Sequence, residues 1–411
     1  MPVRVTFVRH AQTDGNAAGR WQGHTNSSLT EKGREQATRL AERLADTHFD
    51  LVVSSDLDRT VETAGALGRP VETDERWREP YFGDWEDLTT AEIASDGTGG
   101  LAALMAGEDI ALGGGERLSA VFLRANAALR DLVARLDGDG TAVVVSHGMT
   151  LLTLFSALLG TRRPSPLRLL GNTSVADLII DNDRIWTPRY NDDTHLGNTP
   201  KPFFGHDNSD TQVFLIRHGQ TDSNTQMRWQ GHQDGHLNGE GRRQAKLLAA
   251  HLPQLSALYS SPLIRAADTA AAVGAVQGLE VTHDERLKEI SFGAWEGLTR
   301  SEIMEQFPKQ ASDFFAGADV PRGGTGETFD QVRDRMRRSL AEIAAQHPGE
   351  TIGVVSHGGA TRAWVTEVLG LTYEDRGNLT ILGNTGYARI VFGRRGPGLF
   401  SWNLVPHLEK G

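Results

Sequence analysis

Cysteine is absent from the 411 residues, and no stretch of the sequence is apolar over the length of a membrane span. Without cysteine there is no disulfide, no thiolate metal ligand and no cysteine nucleophile. Because the sequence has neither a long apolar stretch nor a basic start followed by an apolar run, we expect no transmembrane segment and no secretory leader, and we place the protein in the cytoplasm.

Lysine is scarce as well: 6 lysines stand beside 36 arginines, and the formal net charge is −11. Sequence-independent binding to nucleic acid or anionic lipid depends on a surface rich in positive charge, and this sequence has no basic tract. We therefore expect no nucleic-acid partner and no membrane partner. The arginines should act locally, inside a pocket.

The same long pattern occurs twice in the chain. At an offset of 208 residues, Phe7–Ala37 and Leu215–Ala245 are identical at 16 of 31 positions, and later motifs recur in the same order. A repeat of about 200 residues has the size of a domain and is too long for a solenoid unit. The sequence therefore predicts two tandem domains, 1–197 and 211–411. The segment 198–210 is the expected linker, since it continues a stretch rich in Asn, Asp, Gly and Pro.

Two short apolar runs in each half end at polar motifs. Val3–Val8 and its repeat Gln212–Ile216 precede Arg-His, while Ala142–Ser146 and Ile352–Ser356 lead into Ser-His-Gly. Such runs are typical of buried strands, and segments with helical periodicity lie between them. Strands that alternate with helices predict an α/β domain with a mostly parallel sheet and helices on both faces. The carboxyl ends of the strands should bring the two motifs of each half together.

Each half contains the groups that phosphoryl transfer requires: a nucleophile, cations around the phosphoryl oxygens and an acid for the leaving oxygen. A neutral imidazole can attack phosphorus, which makes His10 and His218 the candidate nucleophiles. Guanidinium groups match phosphate geometry better than lysine does. The candidate phosphate-binding side chains are Arg9, Arg59, His147, Arg217, Arg265 and His357, and the candidate acids are Glu79 and Glu289.

Structural roles are the alternatives for these residues. A lone buried histidine is usually a hydrogen-bonded core residue, but histidines at matching motif positions in both copies favour function. Glu79 and Glu289 could instead form structural ion pairs with the arginines. His24 and His232 either select the substrate or cap a turn. Packing is the predicted role of the repeated tryptophans Trp21, Trp85, Trp229 and Trp295.

Two motifs carry a resemblance to a known family. Arg-His-x-Gln-Thr at 9–13 and 217–221, with Glu-x-x-Phe-Gly-x-Trp-Glu beginning at Glu79 and Glu289, resembles the signature of the histidine phosphatase superfamily, which includes cofactor-dependent phosphoglycerate mutases. The resemblance extends over both halves and implies two tandem phosphoglycerate mutase-like domains. In that family the first histidine is phosphorylated, and two arginines and a second histidine bind the phosphoryl group. The acid protonates the leaving group and then activates water, with no metal or other cofactor.

Carried over to this sequence, the resemblance implies two complete sites. The catalytic residues are His10, Glu79, His218 and Glu289. The residues implied to bind the phosphoryl group are Arg9, Arg59, His147, Arg217, Arg265 and His357. Further contacts are implied for Asn16, Asn224 and the loop residues Gln22, Gly23, Gln230 and Gly231.

The first half departs from the family pattern at Ala11, where the family has Gly. It also differs from the second half at Asp87, which matches Gly297, and at Thr60, which matches Ala266. None of these changes removes a reactive group. Ala11 would matter only if this position required a positive φ angle.

The motif around the acid is more similar to the small-molecule phosphatase branch than to the mutase branch. We therefore expect a metal-independent phosphatase that hydrolyses a small phosphorylated metabolite, with active sites in both halves. Phosphoglycerate mutase activity is the second hypothesis, and a third makes one half a non-catalytic module that binds phosphorylated ligands. Substrate choice should depend on variable loops at 89–115 and 299–324. Two sites suggest a bisphosphorylated metabolite or two successive intermediates, and the halves could pack as an internal pseudo-dimer.

Overall fold

A computed structural model describes residues 2–136, 138–182, 184–197 and 209–408 of the chain. The chain divides into two compact units, Met1–Gly197 and Asn198–Gly411. Most of the expected linker, 198–208, lies outside the described residues. Over the described ranges, the helices are all too short or too polar to cross a membrane.

The first unit alternates strands and helices. Its strands are β1 (Val3–Arg9), β2 (Leu51–Ser54), β3 (Glu72–Thr73), β4 (Thr141–Ser146), β5 (Val175–Asp181) and β6 (Arg184–Asp192). Its helices are α1 (Asp14–Ala17), α2 (Glu31–Leu44), α3 (Asp58–Gly65), α4 (Thr90–Ala94), α5 (Gly100–Ala106), α6 (Leu118–Arg135) and α7 (Gly148–Leu159).

The strands of the first unit are hydrogen-bonded in the order β3-β2-β4-β1-β5-β6. The pairs β2–β3, β2–β4 and β1–β4 are parallel, whereas β5 is antiparallel to both β1 and β6. The predicted mostly parallel sheet is therefore confirmed. Val3–Val8 was expected as the first strand, and β1 extends one residue further, because Arg9 pairs with Ser146 of β4.

Helices cover both faces of this sheet. Val8 and Phe7 are neighbours on β1 and therefore point to opposite faces. Val8 packs in a buried cluster with Leu40 of α2, whereas the Phe7 ring makes edge contacts with Trp77 and with Phe155 of α7. The β-branched and aromatic residues that predicted buried strands thus form two apolar layers, one on each side of the sheet.

The second unit repeats this arrangement. Its strands are β7 (Thr211–Arg217), β8 (Ala257–Ser260), β9 (Val281–His283), β10 (Thr351–Ser356), β11 (Tyr387–Gly393) and β12 (Gly396–Leu404). Its helices are α8 (Asp222–Thr225), α9 (Gly239–His251), α10 (Ile264–Gln277), α11 (Arg300–Gln306), α12 (Pro308–Phe315), α13 (Phe329–Ala345) and α14 (Gly358–Leu369). The strand order within this unit is β12-β11-β7-β10-β8-β9, with β7, β10, β8 and β9 parallel.

The first long helix of each unit begins at the residue that the sequence predicts. The Thr30 side chain accepts a hydrogen bond from the N–H of Gly33, and the Asn238 side chain accepts one from the N–H of Gly241. Each cap satisfies one of the free N–H groups of a helix start, which stabilises the helix by about 1 kcal/mol.

The segments 89–115 and 299–324 differ from the expected loops, because each contains two helices: α4 and α5 in the first unit, α11 and α12 in the second. Capping boxes start α4 at Thr89 and α11 at Thr299. Their apolar residues form satellite clusters around Trp85 and Trp295. The repeated tryptophans Trp21, Trp85 and Trp295 are buried, which agrees with the predicted packing role.

Replacing Leu40 with alanine should destabilise the first unit by about 2–5 kcal/mol, because Leu40 is 0 % exposed and its loss leaves a cavity. The matched control is Leu123→Ala on α6, where the side chain is 67 % exposed and the cost should stay below about 0.5 kcal/mol. Equilibrium urea unfolding of the full chain measures both effects. Equal shifts for the two variants would contradict the assignment of Leu40 to the core.

Candidate active site

The ends of two parallel strands position the first histidine pair. Arg9 is the last residue of β1 and pairs with Ser146, the last residue of β4. The N–H of His10 donates to the carbonyl of Ser146 at 2.9 Å. As a result the rings of His10 and His147, which follow these strands directly, lie with their centroids 5.2 Å apart.

The His10 ring is held in one tautomer. Its Nδ1 lies 2.8 Å from the carbonyl oxygen of Ala11. A carbonyl can only accept, so Nδ1 carries the proton and Nε2 keeps its lone pair. Burial lowers the pKa of His10 well below its usual value, and the charges of Arg59 and Arg9 lower it further. His10 is therefore a neutral imidazole with a free nitrogen at neutral pH.

Arg59 lies beside this ring near the start of α3. Its two terminal nitrogens donate to the carbonyls of Gly23, at 2.6 Å, and Thr25, at 3.0 Å. Arg9 donates in the same way to the carbonyl of Leu170 at 2.6 Å. Burial lowers the pKa of Arg59 to about 10, which leaves it a cation at neutral pH. Both guanidinium groups are thus held in place by backbone oxygens, and neither forms an ion pair within the described part of the chain.

A serine orients the second histidine. Nε2 of His147 lies 3.0 Å from Oγ of Ser55. Because Ser55 Oγ accepts from the N–H of Leu57 at 3.4 Å, its own proton is available to the His147 ring. We infer that Nε2 of His147 accepts this proton and that Nδ1 carries the ring hydrogen. Burial lowers the pKa of His147 well below its usual value, and the charge of Arg59 lowers it further.

Glu79 lies at the N-terminus of α7. One carboxylate oxygen accepts the N–H of Met149 at 3.0 Å, and the other accepts the N–H of Thr150 at 3.2 Å. Burial raises the pKa of Glu79 above its usual value, even though these N–H groups and the charges of Arg9 and Arg59 act in the opposite direction. The group is thereby suited to hold a proton next to the two histidines.

The backbone of Glu79 is itself fixed. Its carbonyl accepts from Nε2 of His24 at 2.9 Å and from Arg124 at 3.2 Å. Arg124 also forms an ion pair with Glu116 at 3.0 Å. The sequence left the role of His24 open. In the structure His24 binds the Glu79 carbonyl and so helps to position the Glu79 side chain.

Asn16 and Gln22 support the site differently. The side-chain oxygen of Asn16 accepts from the N–H of Thr13 and from Asn172 Nδ2, so only its amide NH2 remains for a ligand. The Gln22 oxygen accepts from the Thr13 hydroxyl at 3.0 Å. Its Nε2 is buried and has no hydrogen-bond partner among the described residues. Both side chains can therefore donate to an anion.

Gly23 is required by the backbone. It adopts a left-handed conformation with φ of 51°, and a Cβ atom there would collide with the carboxylate of Glu86. Its repeat Gly231 has φ of 55° and would collide with Glu296. The carbonyls of Gly23 and Gly231 accept hydrogen bonds from Arg59 and Arg265, so both glycines help to position these arginines.

The second unit reproduces the geometry. The rings of His218 and His357 lie 5.2 Å apart, Nδ1 of His218 lies 2.7 Å from the carbonyl of Gly219, and Nε2 of His357 lies 2.8 Å from Oγ of Ser261. The remaining expected residues of this unit occupy the matching places, and these are Arg217, Asn224, Gln230, Gly231, Arg265 and Glu289. The acid Glu289 accepts the N–H groups of Gly359 and Ala360 at the start of α14.

Three buried groups near His10 have no hydrogen-bond partner among the described residues. Within the part of the chain that the structure describes, Nε of Arg9, Nε of Arg59 and Nδ1 of His147 are buried and have no hydrogen-bond partner. Leaving buried donors unpaired costs about 1–3 kcal/mol each, so their grouping indicates an anionic ligand. The same three atoms recur in the second unit, on Arg217, Arg265 and His357. Each set matches the several oxygens of a phosphoryl group.

The departures of the first half leave this geometry intact. Ala11 and Gly219 both lie outside the left-handed region, so the methyl group of Ala11 carries no backbone strain. It packs instead with Leu29 and Ala37. Asp87 does adopt a left-handed conformation, with φ of 62°, where Gly297 has φ of 80°.

Two supporting pairs were not identified as site residues from the sequence. Ser55 and Ser261 form one pair, Arg124 and Arg335 the other, and none of the four was among the candidate residues. Arg335 donates to the Glu289 carbonyl at 2.8 Å, as Arg124 does to that of Glu79. The available signal was the repeat itself, since arginine recurs at both positions.

Replacing Ser55 with alanine should allow His147 to adopt either neutral tautomer, because the proton donor to Nε2 is lost. Nitrogen-15 NMR of the imidazole rings should show the Nδ1–H form of His147 in the native protein and a mixture in the variant. His357 serves as the internal control, and Ser261→Ala should reverse the pattern. An unchanged His147 spectrum in Ser55→Ala would contradict the assigned direction of this hydrogen bond.

Comparisons with known proteins follow the same division of the chain. The family model described as histidine phosphatase superfamily (branch 1) matches residues 5–193 and 213–405. Phosphoserine phosphatase 1 of Hydrogenobacter thermophilus is 33 % identical over 206 residues, which are 48 % of this chain and 95 % of that protein. A bifunctional protein of Mycobacterium tuberculosis is 39 % identical over 150 residues, or 36 % of this chain, and the match spans only 41 % of its length.

Among solved structures, a mycobacterial glucosyl-3-phosphoglycerate phosphatase is 35 % identical and covers 46 % of this chain and 98 % of its own, with a TM-score of 0.43.

Proposed function

Because the chain belongs to the histidine phosphatase superfamily (branch 1), we propose that it hydrolyses phosphomonoesters of small metabolites through a phosphohistidine, at two metal-independent sites. The observation that carries this proposal is a neutral His10 whose Nε2 is free, surrounded by buried donors that have no partner among the described residues. Relatives named as phosphoserine and glucosyl-3-phosphoglycerate phosphatases support the substrate class.

The first half-reaction transfers the phosphoryl group to the protein. Nε2 of His10 attacks phosphorus, and the bond from phosphorus to the leaving oxygen breaks. Glu79 gives its proton to that oxygen, and the alcohol departs. The Nδ1–H of His10 remains bonded to the Ala11 carbonyl, which stabilises the positive charge that the ring acquires.

The second half-reaction restores the site. The Glu79 carboxylate takes a proton from a water molecule, whose oxygen attacks phosphorus as the phosphorus–nitrogen bond breaks. Inorganic phosphate leaves, His10 is neutral again, and Glu79 is again protonated. One carboxyl group thus serves as acid and then as base, which is consistent with a pKa that burial raises and N–H donors restrain.

Arg9, Arg59 and His147 act on the phosphoryl oxygens in both steps. Their donors are fixed before the substrate arrives, so little reorganisation is needed as negative charge shifts in the transition state. Removing one such preorganised donor typically raises a reaction barrier by about 3 kcal/mol. Burial strengthens the effect, because little water remains to screen the charges.

Phosphate release in the presence of EDTA tests the proposal. His10→Ala and His218→Ala should each remove one site, with a loss of at least about a thousandfold for the substrates of that site, because each removes a nucleophile. The double variant should release no phosphate. A panel of phosphoserine, phosphoglycerates and sugar phosphates would reveal the two residual activities.

Exposed histidines provide the controls: His48→Ala in the first unit and His283→Ala in the second should leave release unchanged. Full activity in the double variant would refute the phosphohistidine mechanism. Transfer of phosphate between phosphoglycerate positions, with no release from any compound, would indicate a mutase instead. Loss of all release in only one of the single variants would show that the other unit does not hydrolyse these substrates and is a binding or structural module.

The pH dependence should differ between two kinds of leaving group. In His218→Ala, which keeps only the first site, kcat/KM for p-nitrobenzyl phosphate should fall as pH rises through the raised pKa of Glu79, since the alkoxide needs a proton. With p-nitrophenyl phosphate the fall should be much weaker, because nitrophenolate leaves without one. Neither rate should drop at the usual pKa of histidine, since the pKa of His10 lies well below it. Identical profiles for both substrates would argue against Glu79 as the acid.

A further inference from the structure

The helix that carries the acid's N–H donors differs between the two units. Helices α7 and α14 both have 12 residues, follow the second histidine directly and end at a left-handed glycine. Their residues therefore match one to one. Within this match, Leu152 of the first unit corresponds to Arg362 of the second.

Arg362 has a guanidinium group without a counter-charge. Across the described residues it forms no ion pair and no side-chain hydrogen bond, and its Nε is buried. Burial lowers the pKa of Arg362 to about 10, Arg376 adds to this effect, and Glu289 opposes it. A partly buried cation that no protein group neutralises is costly, and such a group is typical of a site for an anionic ligand.

Three other polar residues of the second unit lie near Arg362: Arg322, Tyr373 and Arg376. Arg322 is paired with Asp319 at 2.6 Å and donates to the hydroxyl of Tyr373 at 3.2 Å. Arg376 lies over the Tyr373 ring at 3.6 Å. Asp319 neutralises Arg322, and Arg376 is engaged by Tyr373, to whose carbonyl it donates. Among these three arginines, Arg362 is therefore the one whose guanidinium donors have no acceptor among the described residues.

The first unit has apolar residues at the places of Arg362 and Arg322, namely Leu152 and Leu112. The turn Arg322–Gly324 matches Leu112–Gly114, with the same left-handed glycine in its middle, so Leu112 stands where the second unit has Arg322. Leu112 belongs to a buried apolar cluster, and Met149, which replaces Gly359 beside the acid, packs against that cluster. A carboxylate placed against these apolar side chains would be desolvated, and none of them could neutralise its charge.

The position of Arg362 relative to the acid identifies its ligand. Gly359 donates its N–H to Glu289, and Arg362 follows three residues later on the same helix face. Because Glu289 must reach the leaving oxygen, the leaving group lies on this side of the site. We propose that Arg362 binds a carboxylate on the leaving group of substrates of the second site, whereas the first site, with Leu152, takes leaving groups without one. This inference rests on the proposed function.

One free guanidinium fits a carboxylate better than a second phosphate. The planar fork of arginine pairs with the two oxygens of a carboxylate and balances its single charge. A phosphate of higher charge would need a second guanidinium with free donors, whereas Arg322 is paired with Asp319 and Arg376 donates to the Tyr373 carbonyl and lies over its ring.

The test uses two substrates that differ only in this group: 3-phosphoglycerate and glycerol 3-phosphate, in which a hydroxymethyl group replaces the carboxylate. In the His10→Ala background, Arg362→Leu should lower kcat/KM for 3-phosphoglycerate roughly 10- to 100-fold, the usual effect of losing a hydrogen bond to a charged group. The value for glycerol 3-phosphate should change by less than about threefold. Arg362→Lys should restore part of the preference.

Arg338→Leu is the matched control, since it removes the same charge from an exposed position on α13, and it should leave the preference intact. An equal loss for both substrates in Arg362→Leu, or no loss for either, would overturn the inference and assign Arg362 a structural role or none at this site.

Calorimetry separates this inference from the proposed function. In the His10→Ala/His218→Ala variant, which does not depend on turnover, 3-phosphoglycerate should bind more tightly than glycerol 3-phosphate to one site per chain, and Arg362→Leu should abolish the difference. If the native protein released no phosphate but this preference remained, the proposed function would fail and the carboxylate site would stand. If release occurred but binding showed no such preference, the carboxylate site alone would be refuted.

Discussion

A histidine that stays neutral among cations is the constraint on which each candidate site depends. In the proposed reaction His10 must keep a lone pair on Nε2, and burial together with the charges of Arg59 and Arg9 lowers the pKa of the ring and so disfavours a second proton. The carbonyl of Ala11 then decides which nitrogen is free. The cations that suit a phosphoryl group therefore also keep the proposed nucleophile neutral. Both arginines are anchored by backbone carbonyls. A carboxylate in that place would neutralise their charge and weaken both effects at once, whereas a carbonyl leaves the charge available.

Opposing effects determine the pKa of Glu79. Burial favours the protonated form of Glu79, whereas the N–H groups at the start of α7 and the nearby arginines favour the carboxylate. The role proposed for Glu79, to give a proton and then take one, requires such a balance, because a strongly shifted pKa would disable one of the two steps. His24 and Arg124 both bind the Glu79 carbonyl and hold its backbone in place, so the carboxyl group can keep its position while its charge changes.

Strand positions, helix caps and the mostly parallel sheet followed from the sequence, because apolar periodicity and capping residues act locally. The match of both halves to the family model confirms the resemblance seen in the motifs. The sequence could not reveal that Ser55 orients His147 or that Arg124 holds the Glu79 carbonyl. Those contacts join residues 92 and 45 positions apart and exist only after folding. The helices within 89–115 were missed because glycine-rich surroundings obscure short helices that depend on caps and tertiary packing.

The two units are alike on the side of the site that faces the phosphoryl group and differ on the side next to the acid. Around the phosphoryl group the units agree closely, with the histidine rings 5.2 Å apart in both and the same buried donors in both. That chemistry tolerates little change, since every donor must reach an oxygen of a tetrahedral group. The wall beside the acid is free of this requirement, and there Leu152 and Arg362 differ. A charge placed on that wall acts on the leaving group rather than on the phosphoryl oxygens, so two units can retain one reaction and select different substrates.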